Sequence, residues 1–134
     1  MEHITIPAHV DRLDDVLGFV ENAVRDAEIS PKQQNNIMIA VEEIFVNIAS
    51  YAYPSGDGDV TICAEGGPDS VIVEFQDSGI PYDPLSKSDP DVSLSAEDRE
   101  IGGLGIYMVK KLMDSVKYRH EDGRNIMMIE KYTG

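Results

Sequence analysis

Glu43 and Asn47 have side-chain types and a spacing that could hold a cation and move a proton. They are four positions apart in a helical stretch, so both side chains lie on the same face. An amide oxygen suits a hard cation such as Mg²⁺, and a nearby carboxylate could accept a proton from an attacking hydroxyl. Glu42 is rotated by roughly 100° from Glu43 and matches the pair poorly. Such pairs are common on ordinary helix surfaces, so this one alone is a weak signal.

Asp77 and Gly79 form a second candidate group. Asp77 ends a predicted strand, and Ser78 and Gly79 follow it with little bulk. A carboxylate in this position could accept a hydrogen bond from an exocyclic amine, while Gly79 would let a flat ring approach. A strand-terminating Asp-x-Gly turn explains the same residues equally well.

Three glycines form the third group, immediately ahead of an amphipathic helix. Gly102, Gly103 and Gly105 leave the backbone bare where that helix begins. The N-terminus of a helix offers free N–H groups and a positive dipole end to an anion. The alternative is a tight turn from loop to helix. Considered without the other groups, the glycines favour this turn over an anion site.

The elements that must position these groups follow from the hydrophobic pattern. Ser30, Pro31 and Gln33 form a capping box that begins the second helix, which Pro54 ends. A long polar stretch from Asp77 to Gly102 indicates a functional lid or disorder. The predicted ranges are strands over 3–8, 59–64 and 71–76, helices over 10–27, 31–53 and 104–114, and a closing hairpin over 116–120 and 124–132. This order predicts an α+β fold with helices on one face of a mostly antiparallel sheet.

The charge of the chain excludes some classes of partner. There are 25 Asp and Glu residues against 11 Lys and Arg residues, a formal net charge of −14. Such a field repels nucleic acid and anionic membranes, so neither is expected as a direct partner. The acidity suits a protein partner with a basic surface, or it serves only solubility.

The remaining composition indicates a single domain in the cytoplasm. A length of 134 residues suits one domain, and no apolar run approaches the length of a membrane span. The opening residues, MEHITIPAHV, lack the apolar region of a signal peptide. Cys63 is the only cysteine, which excludes an internal disulfide, and His3, His9 and His120 share no metal-ligand spacing.

Taken in order, the three groups resemble the N, G1 and G2 boxes of the GHKL ATPases, which share the Bergerat ATP-binding fold. The boxes read Glu43-x-x-x-Asn47, Asp77-x-Gly79-x-Pro81 and Gly102-Gly103-x-Gly105. Within that superfamily, DSGIPYDP, GGLGIYMVKKLMDSVKY and GRNIMMIEKY are similar to the bacterial anti-sigma factor serine kinases. The resemblance covers nearly the whole chain and implies a single histidine-kinase-like ATPase domain over 1–134, folded as a two-layer α/β sandwich.

The resemblance implies a role for each residue of the first two boxes. Asn47 is the implied Mg²⁺ ligand, and Glu43 is the implied base that activates the acceptor. Asp77 would bind the adenine amine of ATP, with Gly79 beside the ring. Histidine kinases often carry Asn where Glu43 stands, so Glu43 favours direct chemistry on a serine hydroxyl or on water. Tyr51 departs from this branch, many members of which carry a histidine there.

The glycine box and the polar stretch are implied to enclose the triphosphate. The predicted lid covers about 79–102, and Gly102, Gly103, Leu104 and Gly105 would let the lid and the following helix wrap the phosphates. Lys87 and Arg99 are the only basic residues between Asp77 and Gly105. Each either contacts the γ-phosphate when the lid closes or is a solvated surface residue.

The implied function is that of an ATP-dependent protein serine kinase acting as an anti-sigma factor or a similar partner switch. Its substrate would be a small anti-anti-sigma protein of the STAS type, its second partner a sigma factor, and its assembly a homodimer. Two alternatives remain open: a nucleotide-gated binding module with little or no phosphotransfer, and a free-standing ATPase.

Overall fold

The computed structural model describes residues 1–54, 56–81, 83, 85 and 103–133, and the side chains of 103 and 104 are not among the features described. Lys87, Arg99 and Gly102 therefore lie outside the described residues, as does most of the predicted lid.

Five antiparallel strands form one layer of the molecule. The strands are β1 (Glu2–Pro7), β2 (Asp59–Gly66), β3 (Ser70–Asp77), β4 (Ser115–Glu121) and β5 (Arg124–Tyr132). Their spatial order is β1-β2-β3-β5-β4, and every pairing among the described residues is antiparallel. In β3, Val71, Val73 and Phe75 are fully buried, whereas the residues between them are half-buried. One face of the sheet therefore carries the core, as strands with a period of two require.

The α-helices of the described residues form the second layer, namely α1 (Leu13–Ala23), α2 (Pro31–Tyr51) and α3 (Gly103–Leu112). The predicted capping box is present at the start of α2. The Gln33 backbone N–H donates to Ser30 Oγ at 3.0 Å, and the Ser30 N–H donates to Gln33 Oε1 at 2.8 Å. These two bonds satisfy backbone donors that the first helical turn leaves unpaired.

The first predicted helix, over 10–27, is longer than the helix that forms. Val10–Arg12 is a 3-10 turn, and α1 ends at Ala23. Val24 then leaves helical geometry, with φ −106° and ψ 7°, and is buried at 2% exposure. An added Cβ at Gly66 would lie 3.2 Å from the Val24 α-carbon. The chain therefore turns after Ala23 so that Val24 packs closely against β2, which apolar periodicity alone does not reveal.

The buried helix side chains that the structure describes join one core with the buried face of the sheet. Ile37 and Phe45 of α2 and Ile62, Phe75 and Ile129 of the sheet are among the largest fully buried side chains. The opposite sheet face, by contrast, carries half-buried polar residues such as Thr61, Glu74 and Gln76. The predicted two-layer α+β fold, with the helices on one face, is confirmed.

Candidate functional site

The C-terminal half of α2 and the end of β3 border an open cleft. Asn47 and Asp77, from two different predicted groups, both line it. The other lining residues are mainly apolar or aromatic: Ile44, Ile48, Tyr51, Ala52, Ile80, Ile106, Tyr118, Asn125 and Met127. A largely apolar cleft with a few polar side chains is the usual form of a small-molecule site.

Asp77 is the buried acid of this cleft, with 6% of its surface exposed. Its Oδ1 accepts from the Gly79 backbone N–H at 2.9 Å and from Asn125 Nδ2 at 3.0 Å. Both hydrogen bonds that the Asp77 side chain accepts from described residues end on Oδ1. The Asp77 carboxylate is therefore held by one oxygen, which suits the other oxygen to bind a donor in the cleft.

Asn125 and Tyr118 were not predicted as site residues, although both line the cleft. Asn125 lies opposite Asp77 in the β3–β5 register and is 7% exposed. The Tyr118 hydroxyl donates to Asn125 Oδ1. One signal in the sequence could have identified Asn125, because it is the polar residue beside the apolar run Ile126–Ile129 in β5.

The segment after β3 is attached to both neighbouring elements. The Ile80 backbone N–H donates to the Ala52 carbonyl oxygen at 3.0 Å, and Asn125 Nδ2 donates to the Ile80 carbonyl oxygen at 2.9 Å. An added Cβ at Gly79 would collide with the carbonyl group of Ala52. The absence of a side chain at Gly79 therefore allows close packing against the end of α2. The position of Gly79 beside the flat ring of a ligand stays a prediction.

Tyr53 connects the same region to the start of β2. Its hydroxyl donates to the Asp59 carbonyl oxygen at 2.6 Å and accepts from the Ser78 backbone N–H at 2.9 Å. Burial raises the pKa of the Tyr53 phenol above its ordinary value of 10.0, and the charges of Asp77 and Asp59 raise it further. The hydroxyl therefore keeps its proton, and with it the bond to Asp59, at neutral pH.

Glu43 lies against the first turn of α3 and is not among the residues that line the cleft. It is half-buried, while its neighbour Glu42 is exposed. An added Cβ at Gly105 would lie 2.5 Å from Glu43 Oε2. Gly105 thus leaves the space that the Glu43 carboxylate occupies near the positive end of a helix dipole. The glycine was expected to make room for phosphate, and in this structure it also makes room for Glu43.

Asn47 provides a side-chain amide oxygen, a type of ligand that hard cations such as Mg²⁺ bind. It is half-buried at the wall of the cleft, one turn of α2 beyond Glu43. The described residues contain no group of three or more His, Cys, Asp or Glu that could hold a metal ion. A site with one protein ligand fits Mg²⁺ that is bound mainly by phosphate and water, because Mg²⁺ keeps much of its hydration shell.

The rest of the predicted phosphate site is only partly described. Gly103 is the first residue of α3, as expected for a glycine at a helix start. Leu104 lies in the same first turn, and Arg99 and Gly102 lie outside the described residues. Their roles stay predictions. No helix within the described ranges is both long enough and apolar enough to cross a membrane.

Fold and cleft together define an α+β domain of the histidine kinase ATPase type. The catalytic domain of the histidine kinase ThkA is similar, with a TM-score of 0.55 and 15% sequence identity over 99% of this chain and 98% of that chain. The Acinetobacter baumannii histidine kinase AdeS matches with a TM-score of 0.52 at 15% identity, over 100% of this chain and 70% of that chain. At this identity the likeness shows the fold alone.

The family follows from the sequence match. A family model described as a histidine kinase-like ATPase domain matches residues 6–131. The chain belongs to this family, and the predicted membership of the GHKL ATPases is confirmed.

Curated relatives at about 30% identity carry the name Serine-protein kinase RsbW. The protein of that name from Bacillus cereus (strain B4264) is 30% identical over 97 residues, covering 69% of this chain and 61% of the relative. The one from Listeria monocytogenes is 31% identical over 116 residues, covering 83% of this chain and 68% of the relative. The chain thus spans about 61% of the length of the Bacillus cereus relative. The predicted similarity to the serine kinase branch is confirmed.

Proposed function

We propose that the protein is an ATP-dependent protein serine kinase that phosphorylates a small anti-anti-sigma protein of the STAS type. In its other state it would bind a sigma factor and so act as a partner switch. The observation that carries this proposal is the meeting of Asn47 and Asp77 in one cleft, with Glu43 one helical turn before Asn47. The names of the curated relatives support the choice of serine as the acceptor.

Each side chain has a distinct task in this proposal. The buried Asp77 receives the exocyclic amine of adenine, and the apolar wall of the cleft covers the faces of the ring. Asn47 would hold Mg²⁺, which when bound neutralises charge on the phosphates. A net charge of −14 makes that neutralisation necessary, because ATP is itself an anion.

Glu43 is the proposed general base. The serine oxygen forms a bond to the γ-phosphorus while the bond from that phosphorus to the β,γ-bridging oxygen breaks, and ADP leaves. The proton of the serine hydroxyl passes to the Glu43 carboxylate. Because Gly105 lacks a side chain, the carboxylate can stay close to the start of α3, beside the predicted phosphate-binding glycines. The residues proposed to contact the phosphates are Arg99, Gly102, Gly103, Leu104 and Gly105.

The test compares Glu43→Gln with the matched control Glu42→Gln. Each purified protein is incubated with γ-labelled Mg·ATP and a lysate of the source organism, and labelled serines are identified by mass spectrometry. Glu43→Gln should lose at least a hundredfold in transfer, the usual range for a general base, while keeping ATP affinity. Glu42 is exposed and points elsewhere, so Glu42→Gln should transfer phosphate like the unchanged protein.

The other outcomes separate the remaining functions. ATP binding without any labelled protein would favour a nucleotide-gated binding module. Release of inorganic phosphate without an acceptor would favour a free-standing ATPase. Equal loss of binding and transfer in Glu43→Gln would contradict the role of Glu43 as a base.

The remaining expectations from the sequence are part of the same proposal. We propose one domain over 1–134 with a lid at about 79–102, a homodimeric assembly and a cytoplasmic location. Neither nucleic acid nor a membrane is proposed as a partner, because the acidic charge repels both.

A further inference from the structure

Asn125 is a buried polar side chain at a core-facing position of β5. It lies directly across the sheet from Asp77, and the two are 7% and 6% exposed. They are the two buried polar residues among the described part of the chain. Two such groups in contact at the wall of a cleft indicate a purpose beyond packing, because apolar residues would fill the same space without a desolvation cost.

The amide nitrogen of Asn125 faces three acceptors. Nδ2 lies 3.0 Å from Asp77 Oδ1, 2.9 Å from the Ile80 carbonyl oxygen and 3.4 Å from the Gly79 carbonyl oxygen. An amide group has two N–H donors, and the two shorter contacts use both. If the amide turned over, its oxygen would face these same acceptors and both bonds would be lost.

Tyr118 engages the other end of the amide. Its hydroxyl donates to Asn125 Oδ1, and its half-buried ring packs against the core and lines the cleft. Donation from the phenol occupies the amide oxygen and leaves both N–H groups directed at Asp77 and Ile80. Tyr118 therefore favours one of the two amide orientations.

We propose that Asn125, held by Tyr118, is a positioning residue that sets the purine preference of the cleft. This inference rests on the proposed function and deepens it. Asn125 and the Gly79 N–H both bind Oδ1 of Asp77, so Oδ2 is the acceptor that meets the base. Adenine places an exocyclic amine at that oxygen. Guanine in the same pose places a carbonyl oxygen there, and two acceptors repel.

The consequence is that losing the Tyr118 hydroxyl affects one nucleotide more than the other. Without it the Asn125 amide has less to hold its orientation, and the Gly79 N–H becomes the one donor that still fixes Oδ1 among the described contacts of the Asp77 carboxylate, which can then rotate more easily. Binding of adenine depends on a fixed Oδ2, whereas the repulsion of guanine is relieved by the same rotation. The ratio of ATP affinity to GTP affinity should therefore decrease.

The experiment measures dissociation constants for Mg·ATP and Mg·GTP by displacement of a fluorescent ATP analogue. Tyr118→Phe, Asn125→Ala and the unchanged protein are compared, with Tyr132→Phe as the matched control because Tyr132 is 52% exposed. Tyr118→Phe should weaken ATP binding about fivefold, the typical effect of one lost hydrogen bond, and GTP binding less than twofold. Asn125→Ala should decrease the ratio of ATP affinity to GTP affinity further, and Tyr132→Phe should leave this ratio unchanged.

Thermal unfolding of each variant separates positioning from a purely structural role. A lower melting temperature with an unchanged ATP to GTP ratio in Tyr118→Phe would overturn the inference while leaving the proposed function in place. If Asn125→Ala fails to fold, Tyr118→Phe decides alone, because the ring is kept. Failure of the unchanged protein to bind ATP would overturn the proposed function itself, and this inference with it.

Discussion

At the scale of single residues, the site depends on side chains that are absent as much as on those present. Gly79 and Gly105 both lie against atoms that a methyl group would displace, but the displaced atoms differ. At Gly79 the obstacle is the backbone of Ala52, which cannot move without shifting the end of α2. At Gly105 it is the tip of the Glu43 side chain, which can rotate away. Glycine therefore allows close backbone packing at position 79, and at position 105 it leaves room for the Glu43 carboxylate.

Gly105→Ala should separate stability from activity. The new methyl group would displace the Glu43 carboxylate, so phosphotransfer should decrease at least tenfold. Stability should be equal or higher, because Ala is favoured over Gly within a helix by about 1 kcal/mol. Thermal unfolding and the labelled-ATP assay measure the two effects.

The matched control is Gly18→Ala in α1, where an added Cβ meets nothing within 4 Å. That variant should gain similar stability and keep full activity. Unchanged transfer in Gly105→Ala would show that the position of Glu43 does not matter for catalysis.

At the scale of elements, the site is a junction of α2, β3 and β5. Ile80 is bound to Ala52 on one side and to Asn125 on the other, and Tyr53 connects Ser78 to the start of β2. The end of β3 is therefore held at a set distance from α2. The predicted lid begins at about this point, so its attachment to β3 is held in place by these hydrogen bonds.

Tyr53→Phe should weaken this junction. Loss of its bonds to Asp59 and Ser78 should lower the free energy of unfolding by about 1 kcal/mol, because water can replace the phenol at both exposed partners. Chemical denaturation measures the change. Tyr132→Phe, which alters an exposed ring, should have no measurable effect.

The pH dependence of stability gives a second readout for Tyr53. Its folded-state pKa lies above the ordinary value of 10.0, so the unfolded chain releases the phenolic proton first. The free energy of unfolding should therefore fall as the pH rises from about that value through the raised pKa. This decrease in the free energy of unfolding should be absent in Tyr53→Phe. The same pH dependence of stability in both proteins would contradict the assignment to Tyr53.

At the scale of the whole molecule, the acidic charge makes nucleotide binding depend on a divalent cation. With Mg·ATP at a hundred times its dissociation constant, the folded state should gain about 2.7 kcal/mol, which corresponds to roughly 8 °C in melting temperature. A chelator should remove most of this shift, because a protein of net charge −14 then faces unneutralised phosphates. Differential scanning fluorimetry measures it, and a shift independent of Mg²⁺ would contradict the proposed role of Asn47.

The local elements could be predicted from the sequence because their causes are local. The capping box at Ser30 and the alternation of apolar residues in β3 act within a few positions, and both appear as expected. The helix over 10–27 was predicted too long because the end of α1 depends on the contact of Val24 with Gly66, which is distant in sequence.

By itself, the sequence determined the layers, the order of the elements and the three boxes that identify the family. It placed Asn47 on a helix and Asp77 at a strand end, and in the structure both residues line one cleft. Only the tertiary structure decided what surrounds Asp77. Asn125 lies 48 positions away along the chain and meets it through the register of β3 with β5. Register and close packing are set by the fit of the whole core, so no local pattern could specify these contacts.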